Sequence, residues 1–228
     1  MNAKYLCRLL SALLACGVAA SAAGHGVAGG DAAYLESVSG VHFIPLMYLG
    51  AKHMVTGYDH LLFLAGVIFF LYRLKDVALY ATLFAVGHSC TLLIGVLAGI
   101  HANAHIVDAI IGASVAYKAL ENIGALRRMG IRINPRAAVL LFGLAHGFGL
   151  STKLQDLALS RDGLVGNIIA FNLGVELGQV AALTLILLAF QVWRRTCTFV
   201  RGAYAANALI MAAGFVLIGY QLTGYVLA

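Results

Sequence analysis

Residues 163–192 read GLVGNIIAFNLGVELGQVAALTLILLAFQV, thirty positions with a single charged side chain, Glu176. A helix crosses the hydrocarbon of a bilayer in about 20 apolar residues. This run exceeds one crossing and implies tilt or an interfacial start. Comparable apolar segments lie at 43–71, 77–100, 104–125, 137–153 and 204–227. The whole chain agrees. Of 228 residues 62% are apolar and only 11% charged, with mean hydropathy +0.92, whereas a soluble domain is about a quarter charged. That balance excludes disordered, collagen-like and nucleic-acid-binding classes. Two prolines fit long helices, and 26 glycines fit helices packed closely in lipid. The expected fold class is all-α, a polytopic membrane bundle of six transmembrane helices.

In and around the ends of these segments the charges sort by side. Arg73 and Lys75, then Arg127, Arg128, Arg132 and Arg136, then Arg194, Arg195 and Arg201 fall in alternate connections, and the opposite side has Lys52, Lys153 and Arg161. Such a bias marks the cytoplasmic face and puts both mature termini in the periplasm. Residues 1–23 read as a cleavable signal peptide: Lys4 and Arg8, then a short apolar stretch, then small residues before Ala22 and Ala23. Residues 24–42 form a periplasmic segment and 43–228 the transmembrane domain, placed in a bacterial inner membrane. Lipidation of Cys16 is an alternative fate for the leader. His25 lies near the new N-terminus, in what reads as a flexible tail. Cys90 and Cys197 remain in the mature chain without disulfide or zinc-knuckle spacing.

Small-xxx-small pairs recur at Gly95/Gly99, Gly143/Gly147 and Gly174/Gly178, and read as helix-packing positions. The segment Leu83-Phe84-Ala85-Val86-Gly87-His88-Ser89 is echoed by Leu141-Phe142-Gly143-Leu144-Ala145-His146-Gly147. The two segments run the same way, so His88 and His146 sit at similar depth.

Charged groups inside a span cost roughly 2.5–3.5 kcal/mol each on insertion scales, so they pair, line water or bind something. Lys118 and Glu121 are one turn apart and read as a pair near the inner end of their span. Asp59, His60, His88, Asp108, His146 and Glu176 overlap in depth on five spans, which favours a shared polar site over separate helix-gluing pairs. The sharpest pattern is His53-x5-Asp59-His60. Seven residues return His53 and His60 to within about 20° of one face, though about 10 Å apart along an unbroken helix. His53 is then the outer ligand and His60 the deeper one, with Asp59 ligating or orienting an imidazole. Neutral imidazole with carboxylate suits a first-row divalent metal. The candidate metal ligands are His53, Asp59, His60, His88, His146 and Glu176, with Asp108, Glu121, Asn172 and Gln179 supporting them or lining a pathway.

At these residues the chain resembles the HupE/UreJ family of small membrane proteins, and the likeness covers nearly the whole mature chain. It is carried by the His-x5-Asp-His element and by Gly57-Tyr58-Asp59-His60-Leu61-Leu62-Phe63, Gly87-His88-Ser89, Ala119-Leu120-Glu121-Asn122, Phe142-Gly143-Leu144-Ala145-His146-Gly147-Phe148-Gly149 and Phe171-Asn172-Leu173-Gly174-Val175-Glu176-Leu177-Gly178-Gln179. It looks closest to the second subgroup. The resemblance implies a nickel or cobalt permease of secondary type. The family's histidine-rich second motif is matched only by Phe142 and His146-Gly147; Gly143 stands in place of a further histidine and Gly149 in place of an acid.

Three functions follow. The first is a secondary transporter for a divalent transition metal, nickel first and zinc or cobalt as alternatives, with the polar site at mid-depth. No nucleotide-binding G-x-x-x-x-G-K-[ST] run occurs, so the ion gradient or membrane potential drives transport. The second is an intramembrane zinc-type metalloenzyme, weakened by the lack of H-E-x-x-H and G-x-S-x-G runs. The third is an accessory protein for metalloenzyme assembly. The expected partners are the metal ion and the lipid bilayer, without nucleic acid or nucleotide.

Overall fold

The computed structural model describes residues 29–37, 39–156 and 162–227. The expected signal peptide, Cys16, His25 and Arg161 lie outside the described residues. The helices are α1 (Gly29–Ser37), α2 (Phe43–Thr56), α3 (Tyr58–Ile68), α4 (Leu74–Ala98), α5 (Ala104–Asn122), α6 (Ala125–Arg128), α7 (Pro135–Gln155), α8 (Leu164–Arg194) and α9 (Thr198–Leu227). Among the described residues there is no strand. The chain is an all-helical membrane bundle.

Helix starts follow local chemistry. The side chain of Asn103 accepts from the backbone N–H of Ile106 at 3.2 Å, and that of Asn134 from Arg136 at 3.0 Å. Each satisfies a donor that the first turn leaves open, and Pro135 fits the first helical position because it has no N–H to satisfy. Gly99, expected to pack against a neighbour with Gly95, instead ends α4 in the left-handed region at φ +65° with open space around it.

Among the described residues four helices, α4, α7, α8 and α9, are long and apolar enough to cross a membrane. The other two expected spans differ for physical reasons. The first is broken at Gly57 into α2 and α3. The third, α5, has 19 residues that include Asp108, Lys118 and Glu121, charges that are paired inside the bundle.

Three helix pairs build the molecule: α2 with α8, α4 with α7, and α5 with α9. A Cβ added at Gly174 would strike the Met47 carbonyl, and one at Gly50 the Phe171 carbonyl, so α2 and α8 touch backbone to backbone. Likewise Gly143 faces the Phe84 carbonyl and Gly147 the His88 carbonyl across α4 and α7. In lipid, apolar surface gives no association force of its own, and such close van der Waals packing supplies it. Along both contacts residue numbers rise together, so these pairs are parallel. In the α5/α9 pair His105 meets Gln221 and Asn122 meets Asn207, so that pair is antiparallel. These directions agree with serial, alternating crossings. The echoed segments of α4 and α7 are the surfaces in contact, which sets His88 and His146 on adjoining helices.

Candidate metal centre

The break in the first span makes the centre. Gly57 has φ −71° and ψ 99°, extended backbone between two helices. On a continuous helix His53 lies about two turns from His60; with the helix interrupted at Gly57 the two rings stand 5.3 Å apart between centroids. These dihedrals suit any residue, so the need for glycine is spatial. A Cβ at position 57 would lie 2.9 Å from His60 Nδ1, 3.1 Å from the His53 carbonyl oxygen and 3.2 Å from Asp59 Oδ1.

His60 sits at the middle of four imidazoles. Its centroid is 4.9 Å from His146 and 6.0 Å from His88, besides 5.3 Å from His53. Asp59 Oδ1 accepts from the His60 backbone N–H at 2.7 Å and from its Nδ1 at 2.8 Å. That fixes the proton on Nδ1 and leaves a lone pair on Nε2, so Asp59 orients the ring as a carboxylate behind a metal-binding histidine does. His146 Nδ1 donates to the Phe142 carbonyl at 2.7 Å, which fixes the same tautomer. His60 and His88 are 2% and 1% exposed. Among the described residues, neither His60 Nε2 nor either nitrogen of His88 has a hydrogen-bond partner.

A buried polar atom left unpaired costs free energy, and native interiors avoid it unless a ligand or water completes the site. Two imidazoles on one ion, each at about 2.0–2.1 Å, hold their centroids about 5 Å apart. Two of the three spacings around His60 are already near that value. Among the described residues, no group of three or more His, Cys, Asp or Glu side chains is placed to hold a metal ion, so coordination would require the rings to turn further inward. Phe63 and Phe84 lie 5.3 and 5.1 Å from the His146 ring, and Phe171 is 6.1 Å from His53. This aromatic wall keeps the local dielectric low.

A family model described as HupE / UreJ protein matches residues 30–228. The chain belongs to the HupE/UreJ family. Proteins of this family are generally tied to nickel or cobalt transport or to metalloenzyme maturation. No curated protein and no solved structure shows significant similarity to the chain.

The remaining candidates of this HupE/UreJ chain are not drawn into the cluster. Glu176 is exposed and accepts from Ser89 Oγ at 3.3 Å, in a groove of about 400 Å³ between α4 and α8 that is also lined by Cys90 and Gln179. Gly174 and Gly178 turn toward α2, and Glu176, two residues from each, is about 200° round the helix from them. Gln179 is buried and donates from Nε2 to the Ala81 carbonyl at 3.0 Å, a bond that joins α8 to α4. Asn172 is buried, and its Oδ1 has no hydrogen-bond partner among the described residues. Glu121 takes the expected ion pair from Lys118 at 2.6 Å. Asp108 is held by Lys153 Nζ at 2.8 Å, so Lys153, counted among the outer-side charges in the sequence, turns into the bundle.

Sequence reasoning missed three polar groups. Gln221 Nε2 donates to Asp108 Oδ2 at 3.2 Å. Asn207, fully buried, links α9 to Asn122 at 2.8 Å. Arg194, taken for a topology signal, donates from Nη2 to the Ile68 and Phe69 carbonyls at 2.8 and 2.6 Å and so closes the end of α3. The two amides were legible as polar positions in an apolar span. Nothing in the sequence tells a capping arginine from a loop arginine.

Proposed function

We propose that this chain is a secondary transporter for a divalent transition metal, nickel first and cobalt or zinc next, working in the inner membrane of a bacterium. The metal is its cargo. The observation that carries the reading is the broken first span, which gathers His53, His60, His88 and His146 around a shared centre with His60 Nε2 bare and held in place by Asp59. Histidine nitrogen is the donor that nickel, cobalt and zinc share. Donors that are grouped but not closed suit capture followed by release. Asp59 holds His60 in the binding tautomer, and the phenylalanine wall keeps water from competing for the ion. Membrane potential adds about 2.3 kcal/mol per charge per 100 mV, and so about twice that for a divalent ion moving inward.

The arrangement of carboxylates favours transport over the metalloenzyme reading. A hydrolytic site needs a free carboxylate beside the metal to handle the proton. Asp59 is engaged with His60, Asp108 with Lys153 and Glu121 with Lys118, and Glu176 is exposed in the α4/α8 groove. The test is uptake of nickel, cobalt and zinc into liposomes holding the purified protein. Saturable uptake of at least one metal is expected, abolished by His60→Ala or His146→Ala. Tight stoichiometric metal retention without uptake would overturn the transport reading.

A further inference from the structure

A second polar assembly occupies the end of the bundle where α5 begins and α7 ends. His105 Nδ1 donates to Gln221 Oε1 at 2.8 Å, and Gln221 Nε2 donates to Asp108 Oδ2 at 3.2 Å. Lys153 Nζ reaches both oxygens of Asp108, at 2.9 and 2.8 Å. Asp108 and Gln221, with Ile111, Leu217 and Asp59, enclose a cavity of about 10 Å³, the space of a single water-sized sphere. Asp59 is thus at once a wall of this cavity and the partner of His60. One small chamber separates the Asp108–Lys153 pair from the imidazole cluster.

We propose that this seam is the metal's route to the cluster and that Lys153 is its gate, a tethered cation that holds Asp108 until a divalent ion displaces it. The proposal rests on the transport reading and extends it to access and selectivity. Three observations carry it. Two carboxylates, Asp59 and Asp108, line the chamber and no Lys or Arg does, a lining that draws cations. The ring that Asp59 holds by Nδ1 carries the bare Nε2 of His60, itself 2% exposed, which gives an arriving ion a place to go. Lys153 lies in the last turn of α7, two residues from its end at Gln155. Its flexible four-carbon stem therefore lets the ammonium swing from Asp108 to the interface.

The gate selects by charge. A monovalent ion brings no more charge to Asp108 than Lys153 already supplies, and it gains nothing by displacing it. A divalent ion brings twice as much and meets Asp59 as well. A rigid structural pair would need none of this geometry and would sit equally well away from the chamber.

The experiment compares wild type, Lys153→Met, Lys153→Arg and Asp108→Asn. Nickel uptake into liposomes gives KM and Vmax, and calorimetric nickel binding in detergent gives the stoichiometry of the cluster. With its competitor gone, Lys153→Met lowers KM for nickel about tenfold and makes uptake inhibitable by sodium, with unchanged stoichiometry. Lys153→Arg keeps the charge and grips the carboxylate with two parallel bonds, so KM rises. Asp108→Asn, which leaves an unanswered ammonium on the route, raises KM further. A merely structural pair would lower the yield of folded protein and Vmax while leaving KM alone.

An unchanged KM in folded Lys153→Met overturns the gate and leaves transport standing. If that variant does not fold, an unchanged KM in Lys153→Arg overturns it. A wild-type protein that neither binds nor moves nickel, cobalt or zinc overturns the transport reading and the gate together.

Discussion

The two ends of α3 solve the same problem in opposite ways. At its C-terminal end, Arg194 donates to the Ile68 and Phe69 carbonyls and lies 4.4 Å from the Tyr72 ring, while Asn122 donates to the Gly66 carbonyl at 2.8 Å and to Asn207 at 2.8 Å. Each of these side chains turns to a protein partner, and the result is helix-to-helix glue. At the N-terminal end, Asp59 and the Phe142 carbonyl fix the tautomers of His60 and His146, and the two rings pack against each other, with His53 and His88 also beside His60. Polarity inside a membrane is therefore no sign of function by itself. The sign here is a group of buried imidazoles packed ring to ring, with His60 Nε2 and both nitrogens of His88 lacking a hydrogen-bond partner among the described residues.

Breaking each end should have distinct consequences. His60→Ala removes the centre of the cluster and should lower metal affinity by at least about 100-fold, since even a supporting partner is worth about 10–100-fold. Nickel at 100 times its Kd should stabilise wild type by about 2.7 kcal/mol through linkage, and that stabilisation should vanish in the variant. Thermal unfolding with and without nickel measures both. A nickel-dependent shift that survives His60→Ala would place the site elsewhere.

Asp59→Asn is the next largest effect. It keeps the volume but lets the amide offer either an oxygen or an N–H to His60 Nδ1, so the tautomer is no longer enforced. Affinity should fall about 10–100-fold with the fold intact, as calorimetric titration would show. Gly57→Ala follows, with a drop of about tenfold, because the new methyl sits 2.9 Å from His60 Nδ1 and a group displaced by an ångström from its working position loses most of its value. The same titration reads it, and an unchanged affinity would show that the hinge has room to spare.

The glue end should behave conversely. Asn207→Ala leaves the half-buried Asn122 amide without one of its two acceptors, a loss of about 1 kcal/mol in stability. Metal affinity of the folded fraction should not change. A denaturation midpoint measured beside a nickel titration separates the two, and a fall in affinity would join the ends into one functional unit.

How much of this was legible depends on whether depth or rotation decides. Depth is written in the residue number: His60, His88 and His146 read as one level from the sequence, with His53 about 10 Å farther out along an unbroken helix, and the structure gathers all four imidazoles. The hinge was not legible. Gly57 is one of 26 glycines, and its φ and ψ carry no glycine signature, so only the crowding by His60 and Asp59 explains it. The Asp108–Lys153 bond was hidden too, because it crosses from α5 to α7 over 45 positions in sequence.

Glu176 is where rotation decides, and it gives the smallest expected effect. Its depth matches that of the histidines, and depth alone made it a candidate ligand. The face was nonetheless readable: Gly174 and Gly178 must turn toward whatever helix they let approach, and position 176 is about 200° from both. The structure puts α2 on the glycine side and leaves the carboxylate exposed, bonded by Ser89 on α4. Glu176→Gln should therefore change nickel affinity by less than about twofold, within the scatter expected for a surface substitution. Its effect should show instead in the α4/α8 groove, as altered reactivity of the exposed Cys90 thiol toward a charged maleimide. An affinity loss as large as that of Asp59→Asn would mean that α8 rotates to bring Glu176 to the imidazoles when metal binds.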